Sequence, residues 1–98
     1  MNVANFLDEA EAELLWEIRY YTAAEGDGGA RFRQSVEAAT RRALAFPMAG
    51  QPYLKRTRRV FVRRYPFFLV YRPVSEGIVV FALAHESRRR GYWASRAR

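Results

Sequence analysis

Between Arg58 and Trp93 the chain reads RRVFVRRYPFFLVYRPVSEGIVVFALAHESRRRGYW, and this stretch constrains the fold more than any other. Three apolar runs, at 60–62, 67–71 and 78–84, are short, β-branched and aromatic. They are separated by Tyr65-Pro66 and by Arg72-Pro73 through Gly77. Runs of that length bounded by proline and glycine predict strand, turn, strand, turn, strand. Alternation along the first strand puts Arg59, Phe61 and Arg63 on one face and Val60, Val62 and Arg64 on the other. The last strand leads through His85 into Glu86-Ser87-Arg88-Arg89-Arg90-Gly91-Tyr92-Trp93. The only histidine therefore stands beside three arginines and two aromatics, where a working site is expected.

Upstream, the pattern is helical. Val3 and Phe6 allow a short opening strand over residues 2–7. Asp8 has the character of a helix N-cap, with Glu11 completing a capping box. Ala10, Leu14, Ile18 and Tyr21 recur at helical spacing, predicting a first helix from about residue 9 to about residue 24. Trp16 and Tyr20 lie off that stripe, either exposed to a partner or covered by a second helix. Gly26, Gly28 and Gly29 break the first helix and Asp27 helps to start the next. Phe32, Val36, Ala39, Ala43 and Phe46 then share a stripe, which Pro47 and Gly50 end. Two amphipathic helices joined by a glycine turn form an antiparallel hairpin, with Arg31 and Arg33 on a solvated side. Residues 47–57 read as a connecting loop. The sum is a single α+β domain of 98 residues, a helical hairpin on one face of an antiparallel sheet, with the other face available.

Charge is divided along the chain. Residues 1–27 hold seven acids against Arg19 alone, net −6, whereas residues 28–98 hold sixteen bases against Glu37, Glu76 and Glu86, net +13. All but one of the bases are arginine, the side chain suited to bidentate phosphate or carboxylate contacts. The basic part is expected to seek a polyanion or an acidic protein, against the alternative of a solvated surface with no specific partner. No apolar run is long enough to span a bilayer, and the acidic N-terminus is unlike a signal peptide, so a cytoplasmic protein is expected. With no cysteine and one histidine, neither a metal nor a cofactor is expected.

The chemistry open to these residues is narrow. Gly26-Asp27-Gly28-Gly29 lacks the lysine and preceding strand of a phosphate loop. Ser87, two residues from His85 on one extended segment, is expected to point along the chain rather than toward the histidine, which argues against a hydrolase triad. A phosphate-directed site remains, with Arg63, Arg64, Arg72 and Arg88 as charge clamps and His85 or Tyr92 as proton-transfer groups. Metal-free RNA cleavage by the 2′-hydroxyl would rely on His85, the one group with an ordinary pKa near neutrality, with Tyr92 and Glu86 behind it. His85 could equally hydrogen-bond at a strand end. Tyr92 and Trp93 could stack on bases, although Trp93 is the better candidate for a plug beneath the C-terminal turn.

The helical hairpin is followed in order by Arg63-Arg64-Tyr65-Pro66-Phe67-Phe68-Leu69-Val70-Tyr71-Arg72, by Val79-Val80-Phe81-Ala82-Leu83-Ala84-His85, and by Arg88 and Gly91-Tyr92-Trp93. With Tyr20-Tyr21, Ala30-Arg31-Phe32 and Phe46-Pro47 upstream, this order resembles the RelE/ParE superfamily of bacterial toxins, the small basic halves of type II toxin–antitoxin pairs. The resemblance implies a β-α-α-β-β-β fold. It also implies a cognate acidic antitoxin in a hetero-oligomer, for which Trp16, Tyr20, Arg41 and Arg42 are candidate contacts. Two activities come with it, ParE-like inhibition of DNA gyrase and RelE-like ribosome-dependent mRNA cleavage. Ribonuclease members often carry a basic residue where this chain has Phe68, and an arginine where it has Ser87. ParE-type inhibition is therefore the leading expectation, with Arg63, Arg64, Arg72, Arg88, Arg89 and Arg90 touching the target. In the alternative, His85, Tyr92 and Arg88 are catalytic.

Overall fold

A computed structural model describes residues 2–98. Strand β1 (Val3–Phe6) leads into helix α1 (Asp8–Ala24) and helix α2 (Gly28–Ala45). Strands β2 (Gln51–Tyr53), β3 (Thr57–Val62), β4 (Phe67–Val74) and β5 (Gly77–His85) follow. They form one five-stranded sheet in the order β1-β5-β4-β3-β2. β1 runs parallel to β5, pairing Val3 with Gly77 and Phe6 with Val80, and every other pairing is antiparallel. The α+β architecture and the meander agree with the sequence. At Gly77, φ is +144° and an added Cβ would collide with the Val3 carbonyl, so only glycine lets β1 lie this close.

The helical hairpin covers one face. Phe32, Val36, Ala39 and Ala43 meet Val62, Phe67, Leu69, Tyr71, Ile78, Val80 and Leu83, with Leu14, Ile18 and Tyr21 packed alongside. Gly28 and Gly29 are buried inside α2 rather than forming the turn. A Cβ on either would come within 2.6 Å of a carbonyl of α1, Tyr21 O or Ile18 O, so these glycines set how closely the helices cross.

Four expectations are corrected. The first helical residue is Asp8, and its side chain caps nothing. The Leu7 N–H is bonded to Val80 O and its carbonyl accepts from Glu11 N–H, so the sheet itself sets where the helix starts. Phe46 lies beyond the last turn of α2, with φ −136°, and is 68 % exposed instead of joining the core stripe. The segment read as a loop contains β2, whose Gln-Pro-Tyr has no alternation of its own and is extended because it pairs with Arg59, Arg58 and Thr57; its proline is tolerated at the sheet edge. Finally, the second face of the sheet is not left open. Residues 91–98 fold back over it, burying Trp93 and Ala97 against Phe68, Val70, Phe81, Ala82 and Ala84. A bulge assists: Val70 pairs with Ala82 and Tyr71 with Val80, so Phe81 is the extra residue and joins Ala82 beneath this tail. Trp93 is 1 % exposed and is the plug expected of it.

Candidate target-binding surface

The arginine run leaves β5 through a turn and lies beside the covered part of the second face. With β2, β3 and β4 it encloses an open depression of about 360 Å³. Arg88, Arg89 and Arg90 form one wall, Tyr53, Phe61 and Phe68 the opposite floor, and Trp93 the inner end. Arg59 stands in the middle. Strand alternation points it to this face with Phe61, and its Nε donates to Gln51 Oε1 at 2.6 Å. Its guanidinium lies 4.5 Å from the Tyr53 ring centroid, 5.2 Å from Phe61 and 5.1 Å from Phe68. The Arg90 guanidinium lies 5.4 Å from the same Tyr53 ring. Aromatic faces carry partial negative charge, so these contacts hold the cations without neutralising them.

Neutralisation is also missing elsewhere in the cradle. Among the described residues, ion pairs join Arg31 to Glu25 and Asp27, and Arg96 to Glu13. None reaches Arg59, Arg88, Arg89 or Arg90, and Glu86 is the one acid at the rim. The arrangement is a concentrated, pre-positioned set of anion-seeking groups.

The catalytic candidates are arranged for other work. The Tyr92 hydroxyl donates to Glu13 Oε2 at 2.7 Å and lies 3.4 Å from Leu83 O. Burial, and then the Glu13 carboxylate, push its phenol far above the usual tyrosine range, so it holds its proton. Glu13 Oε1 accepts from Leu83 N–H at 3.1 Å, and Arg96 spans Glu13 and Phe81 O, each at 3.0 Å. β1 ends at Phe6, so the C-terminal half of β5, paired with β4 on one side, has no strand on the other. Glu13, Tyr92 and Arg96 satisfy its edge instead. Arg88 stacks 3.9 Å above the Tyr92 ring, which places it at the junction of this edge and the cradle.

His85 lines the end of the cradle, stacks edge-on against Phe67 on the helical side, and also borders a second groove containing Trp16 and Glu17. Glu17 has its pKa raised by burial, the charge of His85 opposing and that of Glu13 adding to the shift. Contrary to expectation, Ser87 does turn back on the histidine: its Oγ is 2.7 Å from His85 Nδ1, and its N–H donates to the same nitrogen at 3.0 Å. A backbone amide can only donate, so Nδ1 is an acceptor and its lone pair is engaged by the turn. The seryl and histidyl groups close a two-residue turn, which extended-strand geometry did not foretell.

The remaining arginines are dispersed. Arg72 Nη2 donates to Lys55 O at 2.5 Å and Nη1 to Arg98 O at 3.2 Å, tying the β2–β3 turn to the C-terminus. The turn it holds is strained, since Lys55 and Arg56 both have positive φ. Arg63 and Arg64 sit in the β3–β4 turn beside Arg31 and Arg42, away from the cradle. Arg42 donates to Phe61 O at 2.7 Å; burial, then the charge of Arg63, lower its pKa. Arg41 is exposed, and Trp16 and Tyr20 are 68 % and 61 % exposed rather than covered by α2.

This combination of a helical hairpin, a meander and an arginine-bearing tail is matched by a model of the ParE toxin of type II toxin-antitoxin system, parDE, over residues 5–90. The chain belongs to the ParE toxin family. A solved structure described as "Chromosomal ParDE TA system from P. aeruginosa" shares the fold with a TM-score of 0.74 at 16 % identity, covering 87 % of this chain and 96 % of that chain. No curated protein matches the sequence. In this ParE-family chain no helix among the described residues is long and apolar enough to cross a membrane. Of the residues assigned to the site from sequence, Arg88, Arg89, Arg90, His85 and Tyr92 all line the cradle, while Arg63, Arg64 and Arg72 do not. Arg59 and Tyr53 were missed. The alternation of β3 could have supplied Arg59, whereas Tyr53 lay in an apparent loop.

Proposed function

We propose that this ParE-family toxin stops growth by binding DNA gyrase in the cytoplasm, without catalysing a reaction, and that an acidic antitoxin silences it. The observation that carries the reading is the division of labour around the arginine tail. Four guanidinium groups without carboxylate partners gather in the cradle, while the Tyr92 hydroxyl is committed to Glu13 and the His85 Nδ1 to the Ser87 turn. A binding surface needs the first feature; general acid–base cleavage of RNA needs groups free to exchange protons at the phosphate. The family match, and the assignment of a similarly folded protein to a ParDE TA system, support the antitoxin. Trp16 and Tyr20, exposed on α1, are its proposed anchors, with the exposed Arg41 of α2 as a further contact.

The test is plasmid supercoiling by purified gyrase with the purified toxin. Wild type should inhibit it, and the Arg88→Ala/Arg89→Ala/Arg90→Ala variant should lose at least about tenfold in potency while remaining folded, as expected when several charge-assisted contacts are removed. Full gyrase activity beside a collapse of methionine incorporation in cells would transfer the assignment to mRNA cleavage.

A further inference from the structure

We propose that the cradle binds single-stranded nucleic acid, with a phosphate lodged among Arg88, Arg89 and Arg90 and a base laid against Phe61 and the Arg59 guanidinium. This deepens the reading above, because gyrase itself acts on DNA, but the site can be tested without gyrase.

Three observations bear on the ligand. The cations are arginines without ion-pair partners among the described residues, and the guanidinium fork matches phosphate oxygens in two-point contacts. The floor is aromatic: Phe61 is 46 % exposed beside Arg59, whose plane is fixed by Gln51 and the rings beneath it. Flat π-faces and flat guanidinium groups next to a phosphate-binding wall are what an unstacked nucleotide can use. An acidic peptide would satisfy the arginines and leave Phe61 unused. The third observation is size. A depression of about 360 Å³ is open enough for one splayed nucleotide, whereas the bases of a duplex are stacked inside it and cannot reach the floor.

Fluorescence anisotropy of the full chain, free of antitoxin, tests this with labelled single-stranded DNA of about 12 nucleotides. The same sequence as RNA, a hairpin duplex and polyglutamate serve as further probes, each over a salt series. Single strands are expected to bind more tightly than the duplex or polyglutamate, and a preference for DNA or for RNA identifies the strand the site takes. Arg88→Ala/Arg89→Ala/Arg90→Ala should lower the slope of log affinity against log salt by about 0.7, the value for one neutralised phosphate on a single strand. Phe61→Ala should weaken binding by about fivefold or more while leaving that slope unchanged. Arg19→Ala/Arg33→Ala, which removes two charges from the helical layer, should do neither. Thermal melts establish that each variant is folded.

Equal binding of the duplex or of polyglutamate, an unaffected Phe61→Ala variant, or the same loss in Arg19→Ala/Arg33→Ala would each reduce the interaction to net charge and overturn the site. Gyrase inhibition without oligonucleotide binding overturns this inference alone. Oligonucleotide binding by a chain indifferent to gyrase keeps it and removes the gyrase reading.

Discussion

Glu13 shows how much one side chain can hold. Its carboxylate accepts hydrogen bonds from Leu83 N–H, the Tyr92 hydroxyl and the Arg96 guanidinium, uniting α1, the edge of β5 and the C-terminal tail. Glu13 and Arg96 retain 19 % and 17 % of their side-chain exposure, so solvent can replace little of the interaction. Glu13→Gln should destabilise the fold by roughly 2–3 kcal/mol in urea unfolding, because it leaves a half-buried guanidinium without its counter-charge. Tyr92→Phe removes one hydrogen bond and should cost about 1 kcal/mol by the same measurement. Toxicity should persist in that variant, since the hydroxyl faces Glu13 and not the cradle; abolished toxicity in a folded Tyr92→Phe protein would restore tyrosine to the mechanism. None of this was legible in the sequence. Glu13 read as one of several acids near a helix start, and its partners stand 70 to 83 residues away, beyond any local pattern.

At the scale of elements, local periodicity succeeded where an element makes its own pattern and failed where a neighbour creates it. The stripe of α2 and the meander were legible because their spacing encodes which face is buried. β2 was not, because three residues acquire extended geometry only through β3. The C-terminal tail was half legible: Trp93 was expected to plug the core, but a turn rich in arginine gave no sign that it would cover the sheet's second face. Trp93→Ala should cost about 3–5 kcal/mol in chemical denaturation and, in the population that stays folded, raise amide exchange over residues 91–98. The outer side of α1 behaves oppositely. Trp16→Ala should change stability by less than about 0.5 kcal/mol, as exposed substitutions do, yet weaken antitoxin binding about tenfold or more in titration calorimetry. Unchanged affinity would mean that the antitoxin docks elsewhere.

Across the whole molecule, the division of charge along the sequence becomes a division in space. The acidic segment supplies α1 on the helical side, and the arginine tail supplies the wall of a cradle on the far side of the sheet. The sequence total of +7 therefore understates the field on the far side, where Glu86 is the one lining acid. Legibility at this scale was good for fold and sign of charge, and poor for which arginines act. Arg72 and Arg42 look like binding residues in a string of bases, but they donate to the backbone carbonyls of Lys55 and Phe61. The parallel pairing of β1 with β5 has a further consequence, one of timing. Val3 pairs with Gly77 across both helices and most of the meander, so this contact forms only after the local ones are made. Closing that long loop is a late, slow event, so the edge that β1 protects stays open until the rest of the sheet is in place.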